Sequence, residues 1–127
     1  MSQDYPIQHI DQYVCLPELE IPVVSDDEAP GLIGHVLAAD FYIALKSDCR
    51  ERGLDAFEIP GIYRCALPAV ALQEADGVRF YRLPNSLAEW IYELMRDRNY
   101  ESRFPATIEF GLRRDEHYAK FIETAVR

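Results

Sequence analysis

Apolar positions along the chain recur at two spacings, one suited to strands and one to helices. Gln12 to Leu16 reads as a short strand. Next, Leu19, Ile21 and Val23 alternate with Glu18, Glu20 and Pro22, the period of two that marks a half-buried strand. Pro22 has no N–H to give to a ladder, so this strand belongs at a sheet edge with Glu18 and Glu20 on its solvent face. Ser25 to Gly31 is turn-rich. From about Leu32 to Arg52 the residues Ile33, Val36, Leu37, Phe41, Ala44, Leu45 and Cys49 form one stripe at helical spacing. Gly53 suits a left-handed cap for that helix, and Asp48 with Arg52 makes an i,i+4 pair.

Phe57 to Ile59 and Ile62 to Leu67 are short strand candidates broken by Pro60-Gly61. Ala69 to Ala75 and Val78 to Leu83 then flank Asp76-Gly77, a dipeptide that supplies the positive φ of a tight hairpin turn. In that register Glu74 faces Arg79, and Val70 and Leu72 share a face with Tyr81 and Leu83. A second helix starts at Ser86, with Glu89 completing a capping box and Leu87, Trp90, Ile91, Leu94 and Met95 as its stripe; Asn99 ends it. Thr107 to Leu112 is a strand with Ile108, Phe110 and Leu112 on one face. Asp115 caps a last helix that turns Tyr118, Phe121, Ile122 and Ala125 inward. The order β-β-α-β-β-β-α-β-α, with hairpins in place of regular βαβ units, predicts an α+β fold: a mostly antiparallel sheet packed against about three helices.

Composition narrows the class. A chain of 127 residues without repeats or linkers fits one domain spanning residues 1–127. Its apolar fraction of 49% argues against wholesale disorder, and no apolar run reaches the roughly 18 residues of a membrane span. The N-terminus lacks the features of a secretion signal. The odd cysteines Cys15, Cys49 and Cys65 have neither disulfide nor zinc-site spacing, so buried thiols in a cytoplasmic protein are expected.

Charge adds more. The net charge is −9, and residues 1–63 carry all of it: twelve acids against Lys46, Arg50 and Arg52, whereas residues 64–127 hold ten acids and ten bases. Eight acids precede Lys46, the first basic residue. Such a field repels phosphates and anionic membranes and attracts basic protein surfaces.

Candidate chemistry is sparse. The cysteines sit among apolar neighbours, and neither Cys nor Ser occupies a glycine-bounded elbow, so nucleophilic catalysis has no motif behind it. His9, His35 and His117 form no pair one helical turn apart, which leaves no metal-binding signature. Pro30 to Gly34 superficially suggests an anion-binding turn, but Asp26, Asp27 and Glu28 beside it would repel an anion. Arg96, Arg98, Arg103, Arg113 and Arg114 lie among aromatic residues, yet Glu89, Glu93, Asp97, Glu101 and Glu109 are threaded through them, so direct nucleic-acid binding is not expected.

The acids therefore carry the functional expectation. Glu18, Glu20, Asp26, Asp27, Glu28 and Asp40 are expected to form a face that binds and blocks a basic protein partner, with Tyr13, Tyr42 or Tyr63 as aromatic anchors. An immunity protein, an antitoxin or a phage-type inhibitor of a nucleic-acid-handling protein would fit that description. No cofactor is expected. Two other classes stay open: a small enzyme or ligand-binding domain, dimeric in one version, with a cleft around His35 or His117; and an acidic secretion-chaperone-like adaptor with an exposed apolar groove.

Overall fold

The longest apolar stretch of the chain is a strand, and the rest of the molecule is arranged around it. In the computed structural model β1 runs from Leu32 to Leu45. A short helix α1 (Lys46–Glu51) follows, then β2 (Phe57–Glu58), β3 (Arg64–Glu74), β4 (Gly77–Arg82), α2 (Ala88–Met95), β5 (Ala106–Arg113) and β6 (Glu116–Phe121). Single 3-10 turns, Asn85–Leu87 and Tyr100–Arg103, flank α2. The structure describes residues 7, 16–24, 31–51, 53, 57–58 and 64–122.

All six strands form one antiparallel sheet in the order β2-β3-β1-β5-β6, with β4 beside β3. The architecture is thus mostly β, which corrects the expected α+β fold with about three helices: α1 spans six residues and α2 eight.

The first expected helix fails for a physical reason. β1 is the central strand, paired with β3 on one edge and β5 on the other, and apolar groups cover both of its faces. A strand buried on both faces reads as a continuous apolar run, which spacing alone does not distinguish from a helix. A β-bulge between Val36 and Ala38 also breaks the period of two. Val36 and Ala39 face one cluster, while Leu37 and Ala38 face the other. Gly53 does take the left-handed conformation, φ 67°, after α1.

The last expected helix is strand β6. Arg114 (φ 53°) and Asp115 (φ 66°) both adopt positive φ, and Arg113 pairs with Glu116, so these two residues make the tight turn of a hairpin. In β6, Ala119 and Phe121 pack toward α2, whereas Tyr118 and Lys120 sit beside Glu109.

The β3–β4 hairpin exists in a different register. Glu74 pairs with Gly77, so Ala75 and Asp76 form the turn and Gly77 follows at φ 130°. Leu72 lies opposite Arg79 and Val70 opposite Tyr81. The slip relative to the expected pairing is two residues, so every side chain keeps its face. Val70, Leu72, Tyr81 and Leu83 share one cluster, and Glu74 still reaches Arg79 diagonally at 3.3 Å.

Pro68 sits inside β3, which runs unbroken through the two strands expected there. Its carbonyl accepts Leu83 N–H, so its nitrogen points to the same outer edge. That edge is shared by β2 at Cys65–Ala66 and β4 from Ala69 onward, and Pro68 falls in the gap, where no ladder bond is lost.

α2 covers one face of the sheet. Leu87, Ile91 and Leu94 are buried there with Val36, Val70, Leu83, Ile108 and Phe110, and Trp90 meets the Phe110 ring edge-on. The expected stripe is present, but the capping box is not. The helix begins at Ala88 without a side-chain cap, and Ser86 Oγ contacts His117 Nδ1 at 2.7 Å. Ile7 and Leu16 belong to the cluster on the other face, with Tyr42, Cys65 and Leu67.

Residues 17–24 run from one side of the sheet to the other. Arg82 N–H donates to the Pro17 carbonyl and Leu19 N–H to the Arg82 carbonyl, both at 2.8 Å. Farther on, Leu112 N–H donates to Pro22 and Val24 N–H to Leu112. This strap ties β4 to β5 through two isolated bridges, at Glu18 and at Val23, and does not form the expected edge strand. Leu19 is buried against the α2-side cluster.

Candidate functional site

The pairing of β1 with β3 ends at Val36–Leu72, whereas its pairing with β5 continues to Leu32. The first residues of β1 therefore have a strand on one side only. A cleft of about 490 Å³ lies on the other side, lined by Leu32 to His35, by Leu72, Gln73 and Glu74 of β3, by Tyr81 of β4 and by Pro17 to Glu20 of the strap.

Hydrogen-bond direction shows what β1 offers to this cleft. Ile122 N–H donates to Thr107, which turns the odd-numbered residues of β5 toward β6; the bonds of Leu112 to the strap turn the even-numbered ones the opposite way. Phe110 and Ile108 thus bond Leu32 and Gly34, their partners on β1. Ile33 and His35 point their main-chain groups away from β5, toward the cleft. Both residues are exposed, Ile33 at 47%.

Carboxylates surround the opening. Glu18 pairs with Arg82 at 2.8 Å, which also pins the strap to β4. Glu20 is exposed and has no ion pair among the described residues. Glu74 accepts the Tyr81 hydroxyl at 2.6 Å and faces Arg79 at 3.3 Å. The hydrogen bond to Glu74 pushes the Tyr81 phenol up. Arg79 bonds Asp76 as well, 3.2 Å away, and holds that exposed carboxyl below its ordinary value. Among the described residues at this end of the molecule, the four carboxylates of Glu18, Glu20, Glu74 and Asp76 stand against the two guanidinium groups of Arg79 and Arg82.

The six acids expected to form one face do not all meet. Glu18 and Glu20 line the cleft together. Asp40 lies in mid-β1, where its Oδ1 accepts Phe41 N–H at 2.7 Å and its Oδ2 lies 3.4 Å from the Tyr100 hydroxyl. Burial, with Asp40 adding to it, pushes that phenol up to about 12. Asp26, Asp27 and Glu28 lie outside the described residues. Tyr42 is no surface anchor, since it is 1% exposed in the core; Tyr13 and Tyr63 fall outside the described residues.

Glu74, Gln73 and Tyr81 are the site residues that sequence reasoning missed. Their signal was present in the hairpin, which placed Glu74 and Tyr81 on one face. It gave no hint that β1 and β3 part company there.

The catalytic alternatives gain nothing from the geometry. His35 lines an open cleft and makes no hydrogen bond to a carboxylate among the described residues, so none of these orients it as a general base. Ser86 and His117 touch on the surface, but through Nδ1, the nitrogen that a Ser–His–Asp arrangement gives to its carboxylate. Cys49 and Cys65 are buried, and Cys15 is outside the described residues. Among the described residues no group of three His, Cys, Asp or Glu side chains converges as a metal site would require. No helix there is long and apolar enough to cross a membrane. Part of the arginine-rich region is taken up internally, with Arg96 against Glu93 and Arg103 over the Phe121 ring at 3.9 Å. No protein-family model matches the chain, and neither does any curated protein or solved structure.

Proposed function

We propose that the protein is a non-enzymatic binding domain that holds a basic stretch of a partner protein in the cleft between β1, β3 and the strap. One observation carries this reading: Glu18, Glu20 and Glu74 surround an open cleft in a molecule of net charge −9. Carboxylates at the rim of a low-dielectric groove attract a cationic segment at long range and fix it at short range. Glu18 and Glu74 are each engaged with an arginine, so Glu20 is the carboxylate that meets a partner first.

Calorimetric titration with a nona-arginine peptide tests this. Association should weaken steeply as salt rises, because the charges are exposed and the Debye length falls from roughly 30 Å at 0.01 M to about 8 Å at 0.15 M. Glu20→Lys should weaken it several-fold without lowering the urea unfolding midpoint, since Glu20 is exposed and has no ion pair among the described residues. Affinity that ignores both salt and the charge at position 20 would refute the reading.

A further inference from the structure

The cleft exposes more than charge. Beyond Val36–Leu72 the sheet divides: β3 continues into its hairpin with β4, β1 continues beside β5, and among the described residues neither has a strand partner on the side facing the gap. A gap inside a sheet, bordered by a strand whose alternate amides and carbonyls point into it, has the form that β-strand addition requires. The main-chain groups of Ile33 lie beyond the last β1–β3 pair, on an exposed residue in the middle of this border.

We infer that the partner segment binds as an added strand alongside Leu32 to His35, hydrogen-bonded to Ile33, and that its sequence alternates basic and apolar residues. This inference rests on the proposed binding of a basic segment and specifies how it is held.

The alternation follows from the two faces of the gap. Leu32, Leu72 and Tyr81 belong to the α2-side cluster, so Gly34 and Glu74 share that face by the strand period. On the opposite face lie Ile33, His35 and Gln73, and across from Gln73 lies Val78 of β4. Ile33 and Val78 are two of the large apolar side chains left exposed, at 47% and 37%. A strand placed here sends alternate side chains toward Glu74 and Tyr81, and the intervening ones toward Ile33 and Val78. Lysine or arginine suits the first set and valine or isoleucine the second. Gly34 keeps the α2-side face low, since a methyl group on it would touch the Leu72 side chain at 3.4 Å.

The experiment uses the full chain, uniformly ¹⁵N-labelled, and four soluble probes: a capped octapeptide of alternating lysine and valine, two versions of the same peptide N-methylated at alternate residues in one phase or the other, and spermine. Added-strand binding requires that the unmodified peptide shift the amide signals of Ile33 and His35 and slow hydrogen exchange at Ile33 N–H at least tenfold. One methylated phase should bind at least tenfold more weakly than the unmodified peptide, and the other within about twofold of it. If both methylated peptides bind as well as the unmodified one, strand addition is wrong, while attraction of a basic segment survives. If none of the four probes binds, the proposed function falls with it. Shifts confined to residues away from Leu32–His35 and Leu72–Glu74 overturn the placement.

Discussion

Glu109 is buried, 6% exposed, in the middle of β5, and the sheet around it is built to keep it charged. Its Oε2 accepts the Tyr118 hydroxyl at 2.5 Å and Gly31 N–H at 3.0 Å, while Oε1 lies 3.8 Å from Lys120 Nζ. Two glycines make this possible. A side chain on Gly31 would collide with the Phe110 carbonyl oxygen, and one on Gly111 would meet the Tyr118 ring at 2.5 Å. The Tyr118 hydrogen bond, and after it the Gly31 amide, hold the Glu109 carboxyl below its ordinary value. A carboxyl with a lowered folded pKa stabilises the fold above its unfolded pKa, and that stability disappears as the pH falls through the folded value. Glu109→Gln keeps the shape but loses the charge-assisted bonds, so it should cost about 1–3 kcal/mol at neutral pH. It should also flatten the acid side of the stability profile. Urea midpoints measured between about pH 7 and pH 3 check this, because wild type must fall more steeply than the variant. Parallel profiles would mean that Glu109 has no such role.

The β5–β6 hairpin turns on two residues that pay for their geometry. Arg114 and Asp115 both sit at positive φ, a conformation that costs an L residue roughly 1–2 kcal/mol and glycine almost nothing. Asp115→Gly should therefore raise stability by up to about 1 kcal/mol, measured by thermal or urea unfolding. Had Asp115 capped a helix, the same change would lower stability by a few tenths. The sign alone separates the two structures. Why the sequence pointed to a helix there is instructive, because Tyr118, Phe121 and Ile122 repeat at helical spacing and Asp resembles a cap, while no Asn-Gly announces the turn. β1 misled for another reason, its two buried faces and its bulge. Where apolar residues recur at a regular period along an element, the pattern was legible: the stripe of α2, the face of β5 and the two faces of the β3–β4 hairpin. The strap was legible in its exposed Glu18 and Glu20 and its buried Leu19, but not in its course from β4 to β5, since isolated bridges leave no periodic trace. The cleft itself was not legible, because the point where two strands separate depends on pairing across the whole sheet.

Taken as one charged body, the protein responds to salt through two opposing effects. Individual ion pairs such as Glu74–Arg79 and Glu93–Arg96 lie at the surface, and pairs of that kind contribute little, and less when screened. Against them stands the mutual repulsion of nine excess negative charges, which acts against the compact state and is also screened. With Asp76 and Glu74 sharing Arg79, and Glu20 without an ion pair among the described residues, the cleft end contributes to that repulsion. The excess outweighs the pairs, so sodium chloride from about 0.02 to 0.3 M should raise the urea midpoint of the free protein. Over the same range, affinity for a basic peptide should fall at least tenfold, because there the screened interaction is attractive. Stability and binding must then move in opposite directions with one variable, and Glu20→Lys should reduce both slopes together. A midpoint that falls with salt would show that the ion pairs dominate; slopes unmoved by the charge at position 20 would show that the repulsion is not centred on the cleft.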